Sequence, residues 1–185
     1  MKRGILSIIY FLLSIVLLAQ QMGEQEMIQK MASAAREIKT VQCDFTQMRR
    51  TKLLKKEQVS QGRMSCQLPD KLRWEYTSPR ASVIVLGDDA PSQQNRFAGE
   101  MARMMMRLVA GQSLTDSKAF QVTAQEMPAE YVATLVPLRK DMKRLYSKII
   151  LHFDVKQSTV TRVELYEKSG DFTVIELRDI RINGQ

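Results

Sequence analysis

Histidine occurs once in this chain, at position 152, and cysteine twice, at 43 and 66. One imidazole and two thiols are too few ligands for a His/Cys metal centre. With no partner histidine, His152 in a strand reads as structural or solvated rather than as a general base. There is no Gly-x-Ser-x-Gly elbow, no phosphate-cradling glycine loop and no dinucleotide fingerprint. The adjacent carboxylates Asp88 and Asp89 read as turn chemistry. Zinc-finger, ribonucleoprotein and helix-turn-helix patterns are also missing, so nucleic acid is not an expected partner. These absences point to a protein that is not an enzyme and carries no cofactor.

Acidic residues are the minority charge, and the 185 residues carry a formal +8 at pH 7. Residues 1–19 read as a secretory signal peptide. Lys2 and Arg3 precede an apolar run from Ile5 to Ala19, which is shorter than the roughly 20 residues a spanning helix needs. No cysteine follows this run, so lipid anchoring of the chain at that point is not expected. Export would leave a single domain over 20–185. Losing Lys2 and Arg3 would take the charge from +8 to +6. A basic exported chain suits an anionic membrane surface or an acidic protein.

The only tryptophan lies in Leu68–Pro79. There Leu72, Trp74 and Tyr76 alternate with Arg73 and Glu75, the period of a half-buried strand. Pro69 and Pro79 bracket it, as prolines do at strand ends. Ahead of it, Gly23 to Thr40 reads as an amphipathic helix with Met27, Met31, Ala34, Ala35 and Ile38 on one stripe. Val41 to Met48 and Gln58 to Leu68 read as a hairpin. A turn centred between Leu54 and Lys55 pairs Val41 with Leu68, Cys43 with Cys66, Phe45 with Met64 and Gln47 with Gly62. In that register Cys43 and Cys66 are either bridged or two buried, reduced thiols. The basic run Arg49 to Lys56 at the tip is either a solvated turn or an electrostatic contact with an anionic membrane or acidic partner.

Ala81 to Leu86 reads as a further strand, and residues 87–96 as a polar loop. Phe97 to Val109 reads as a helix, capped by Asn95 and ended by Gly111. It holds four of the chain's 12 methionines. Phe97, Met101, Met104, Met105 and Leu108 form its apolar stripe, which is either ordinary core or an adaptable surface for an apolar ligand. Strands are expected over 119–125, 131–136, 148–155, 160–167 and 172–182, with a helical turn or two over 139–146. Eight or nine short antiparallel strands with two or three helices give an α+β, mainly antiparallel fold: a strongly curved sheet or barrel with a helical cover.

Asp44-Phe45-Thr46-Gln47, Gly62, Pro69-Asp70-Lys71-Leu72-Arg73-Trp74-Glu75-Tyr76, Pro79, Val163-Glu164-Leu165, Gly170-Asp171-Phe172-Thr173 and Asn183 together resemble the LolA-like outer-membrane lipoprotein carrier family. The resemblance spans nearly the whole chain after residue 19. It implies a half-open β-barrel closed by a helical lid over a cavity for lipoprotein acyl chains. It also implies cargo received from an inner-membrane ABC transporter release complex and passed to an outer-membrane receptor, with no cofactor, and a monomer is expected. By analogy Phe45, Met64, Leu68, Leu72, Trp74 and Tyr76 would line the cavity, and Met101, Met104, Met105 and Leu108 would belong to the lid. The alternative is a periplasmic sensor or interaction domain of the same fold that binds lipid or protein without ferrying it. The chain departs from the family at Leu68, where members often carry an arginine linked to lid movement. It departs again after Leu86, where a further strand is usual.

Overall fold

A computed structural model describes residues 23–52, 56–88 and 96–184. The expected signal peptide, the centre of the first hairpin turn, most of the polar loop, the Asn95 cap and the Phe97 side chain lie outside the described residues.

Helix α1 covers residues 23–36. It is followed by β1 (Thr40–Arg50), β2 (Gln58–Gln67), β3 (Lys71–Ser78), β4 (Ser82–Leu86) and α2 (Arg96–Val109). After a 3-10 turn at Gln112–Thr115 come β5 (Phe120–Glu126), β6 (Glu130–Pro137), α3 (Lys140–Leu145), β7 (Tyr146–Asp154), β8 (Val160–Glu167) and β9 (Phe172–Ile182). All nine strands form one antiparallel sheet in the order β4-β3-β2-β1-β9-β8-β7-β6-β5. The sheet is curved and open, with edges at β4 and β5.

This order fixes where α2 must go. The chain walks outward from β1 to one edge, then has to reach the opposite edge before walking back to β9. The connection crosses the sheet, and α2 is that crossing, packed on β3, β4 and β8. Helix α1 covers the other half. Its Glu24 Oε1 accepts from the Ala124 N–H of β5 at 2.8 Å, and Lys30 Nζ donates to the Tyr131 hydroxyl at 3.1 Å. The buried stripe of α1 is Met31, Ala32 and Ala35, with Met27 and Ile28 half-buried.

One bulge lies between β1 and β9, where the pairing slips between Gln42 and Asp44; others lie between β2 and β3 and between β7 and β8. Asp179 on β9 takes a left-handed φ of 51° at the first of these. One extra residue bends the bulged strand and adds twist, so Leu177 and Ile180 both pack against the core.

The β1–β2 register differs from the expected one by two residues. Phe45 pairs with Gly62, Cys43 with Met64 and Val41 with Cys66. The Phe45 ring lies across Gly62, so close that a Cβ on residue 62 would sit 2.6 Å from Cζ of that ring. Matching apolar faces fixes a register only to an even shift, because side chains alternate. The bare glycine under the ring selects among the even shifts. Consequently Cys43 and Cys66 are diagonal neighbours rather than opposite, and both are free and buried; of the two alternatives, the pair of buried, reduced thiols is the one found. Burial pushes the Cys43 thiol up from its ordinary 9.0 to about 12, and Cys66 is raised for the same reason. Protonated, enclosed thiols react poorly. We therefore expect an intact mass unchanged by reductant, and alkylation of both cysteines only after denaturation. Mass spectrometry with iodoacetamide checks both, and a reductant-dependent mass would show a bridge.

Leu68 is not part of β2. It follows the strand, and its N–H donates to the Lys39 carbonyl at 2.8 Å. Its half-buried side chain packs against the core edge.

Candidate functional site

The concave face of β1–β3 carries an aromatic cluster. Phe45 and Trp74 have ring centroids 4.4 Å apart at 34°, and Phe45 meets Tyr76 edge-on at 5.4 Å and 89°. Cross-strand pairing brings Trp74 opposite Met64 and Leu72 opposite Cys66. The Tyr76 hydroxyl donates to Gln47 Oε1 at 3.0 Å. Burial raises the Tyr76 pKa, while the Trp74 and Gln47 side chains near its hydroxyl pull it back. The buried Trp74 Nε1 has no hydrogen-bond partner among the described residues. The Tyr76 hydroxyl is near enough to feel its N–H but does not close a bond with it.

Helix α2 closes over this face. Its inward stripe is Ala102, Met105, Met106, Leu108 and Val109, all buried. The expected stripe is therefore rotated. Met105 and Leu108 face the sheet as foreseen, Met106 joins them, and Met101 and Met104 turn to the helix flank. The i, i+4, i+7 set Ala102, Met106, Val109 was the signal in the sequence that four methionines in six residues obscured.

Met101 and Met104 instead line an opening of about 340 Å³ between α2, α3 and the start of β5. Phe120, Met142 and Leu145 complete its apolar wall, and Arg103, Arg107 and Arg139 stand at its rim. Arg107 pairs with Asp116 at 2.9 Å and Arg139 with Asp141 at 2.8 Å. The Tyr146 hydroxyl donates to Met101 Sδ at 3.6 Å, and burial pushes its pKa to about 12.

The site residues named from sequence thus fall in three places. Phe45, Met64, Leu72, Trp74, Tyr76, Met105 and Leu108 meet in one interior packed between sheet and helix. Met101 and Met104, half-buried, pack against that core from the α2 flank and line the opening there, and Leu68 lies at the core edge. Two further recesses, of about 420 and 480 Å³, lie on the convex face and are lined by charges such as Arg63, Arg73, Asp44 and Arg178. Their lining suits ions and water rather than hydrocarbon.

His152 has partners that sequence reasoning did not find. On the convex face, Nδ1 lies 3.0 Å from Glu130 Oε2 and Nε2 lies 3.2 Å from Glu164 Oε1. Glu164 also accepts from Tyr166 at 2.8 Å and pairs with Arg162 at 2.9 Å. Strand register made this network, bringing β6, β7 and β8 side by side. Among the described residues no cluster of His, Cys, Asp and Glu could hold a metal ion.

Residues 36–185 match the family described as outer membrane lipoprotein carrier protein LolA. The chain belongs to the LolA family. No curated protein sequence matches it. Among solved structures, this LolA-family chain is similar to a LolA superfamily protein from Nitrosomonas europaea, with a TM-score of 0.40 and 14% identity over 84% of this chain and 93% of that one. A putative outer membrane lipoprotein-sorting protein domain from Vibrio parahaemolyticus gives 0.43 and 10% over 87% and 92%. MucB gives 0.53 and 11% over 87% of this chain and 59% of that one. The last of these supports the shared fold of a curved sheet under helices.

Proposed function

We propose that this LolA-family protein is a periplasmic carrier that shields the acyl chains of lipoproteins against the concave face. It would take them from an inner-membrane ABC transporter release complex and pass them to the outer membrane, without catalysis or a cofactor. The observation that carries the reading is the family match over residues 36–185, joined to an apolar concave face that α1 covers on one half and a crossing helix rich in methionine covers on the other.

The interior is filled, so cargo must replace protein contacts. Methionine suits that exchange, being unbranched and adaptable. The energies are matched in scale. An acyl chain of about 16 carbons gains roughly 12 kcal/mol on leaving water, at about 0.8 kcal/mol per methylene. Met105, Met106, Leu108 and Val109 are buried under α2, and at about 1.5–3 kcal/mol each their burial is also on the order of 10 kcal/mol. A near balance of this kind permits both loading and release. Native mass spectrometry of the periplasmic form tests the reading: the expected result is a population carrying acylated lipoprotein that disappears on transfer to acceptor membranes.

The filled interior also favours a second reading, a sensor or interaction domain that holds a partner without exchanging lipid. It would appear as stable protein binding with no lipoprotein mass attached.

A further inference from the structure

The alternating strand directions bring one set of strand ends to a common rim. This rim holds the end of β1, the starts of β2 and β4, and the turns on either side of α3 and between β8 and β9. Of the six large apolar side chains that stand most exposed among the described residues, five are here: Val59, Val83, Val136, Leu138 and Leu145, at 39–51% exposure. Only Met127 lies at the opposite rim.

The same rim is strongly basic. Helix α3 presents Lys140, Lys143 and Arg144 to solvent, none with an ion-pair partner among the described residues. The end of β1 adds Arg49, Arg50 and Lys52, of which Arg49 pairs with Glu167 at 3.4 Å. The two clusters are tied through the β8–β9 turn. The Lys168 N–H donates to the Leu145 carbonyl at 2.8 Å, and the Lys52 N–H to Asp171 Oδ1 at 3.0 Å. At the opposite rim Asp70, Asp88, Glu126 and Asp154 mix with Lys39, Lys71 and Lys156.

We propose that the basic rim, centred on α3, docks the protein on an anionic phospholipid bilayer. Bilayer phosphates complement the lysines and arginines, while the headgroup–acyl boundary accepts aliphatic side chains that water does not favour. Cations alone would fit any acidic partner; aliphatics standing among them select the bilayer. The surface is distinct from the concave face, and docking does not depend on what that face carries.

The test is co-sedimentation of the periplasmic form with phosphatidylcholine vesicles, with and without phosphatidylglycerol. Adsorption is expected only with phosphatidylglycerol, and it should weaken as salt screens the charges. Each basic residue near such a surface contributes roughly a factor of five, so the triple variant K140Q/K143Q/R144Q should partition on the order of 100-fold more weakly. Leu138→Ser with Val59→Ser should also weaken it. The variant R36Q/K39Q/K156Q removes equal charge from α1 and the opposite rim and should partition nearly as the parent does. Circular dichroism melts check that each variant is folded. Absence of adsorption to phosphatidylglycerol vesicles would overturn the proposal, as would equal weakening by the two triple variants. Binding to poly-glutamate with the α3 dependence but no vesicle adsorption would reassign the rim to an acidic protein and overturn it as well.

Discussion

Gly62→Ala should cost about 3 kcal/mol of stability or more, because two neighbours occupy the space of the new methyl. One is the backbone carbonyl of Glu75 and the other is the Phe45 ring at 2.6 Å. The ring could swing aside, but the carbonyl belongs to the β2–β3 ladder and cannot move without shifting Trp74 and Tyr76 on the next strand. For a domain of this size the loss corresponds to a melting temperature lower by roughly 6–12 °C. Thermal unfolding of the variant beside the parent protein measures it. A drop of a degree or less would mean that Gly62 does not set the β1–β2 register.

Met106→Ala should separate the stability of the closed form from its capacity for lipid. Met106 is buried under α2, and truncating such a side chain costs about 2–5 kcal/mol. If loading requires α2 to give up its contacts with the sheet, the loaded state has already lost this one. The variant then needs less energy to open, and acyl-chain uptake should tighten by about tenfold for each 1.4 kcal/mol removed from the closed state alone. Val174→Ala, buried on the convex side of β9, should lower stability without changing uptake. Weaker or unchanged uptake by the Met106 variant would mean that α2 is fixed core and that cargo enters elsewhere.

Most of the fold was legible in the sequence because it depends on side-chain period. The alternation of Leu72, Trp74 and Tyr76 placed β3 and its inward face, and β8 and β9 follow directly from Val160–Glu167 and Phe172–Ile182. What could not be read depends on how elements meet. The β1–β2 pairing slipped by two residues because period alone does not distinguish even shifts, and the deciding contact is a ring over a glycine. The α2 stripe was read one position off because methionine at 101, 104, 105 and 106 makes almost any face look apolar. The partners of His152 lie 22 and 12 residues away in sequence, and only the sheet brings them together. The rim is invisible in sequence for the same reason, since its cations and aliphatics come from separate turns.

The concave face also departs from the expected cavity in being filled. Trp74, only 4% exposed, is packed against both Phe45 and Tyr76, so it is a wall residue only if α2 moves. As the sole tryptophan, it reports on that movement alone. The most direct measurement is its fluorescence while the protein is loaded with lipoprotein bearing brominated acyl chains, whose bromine atoms quench indole on contact. Strong quenching of Trp74, absent with unbrominated cargo and reversed on transfer to acceptor membranes, is the predicted result. Unquenched emission from protein that native mass spectrometry shows to be loaded would contradict the account, because the acyl chains would then lie away from the concave face.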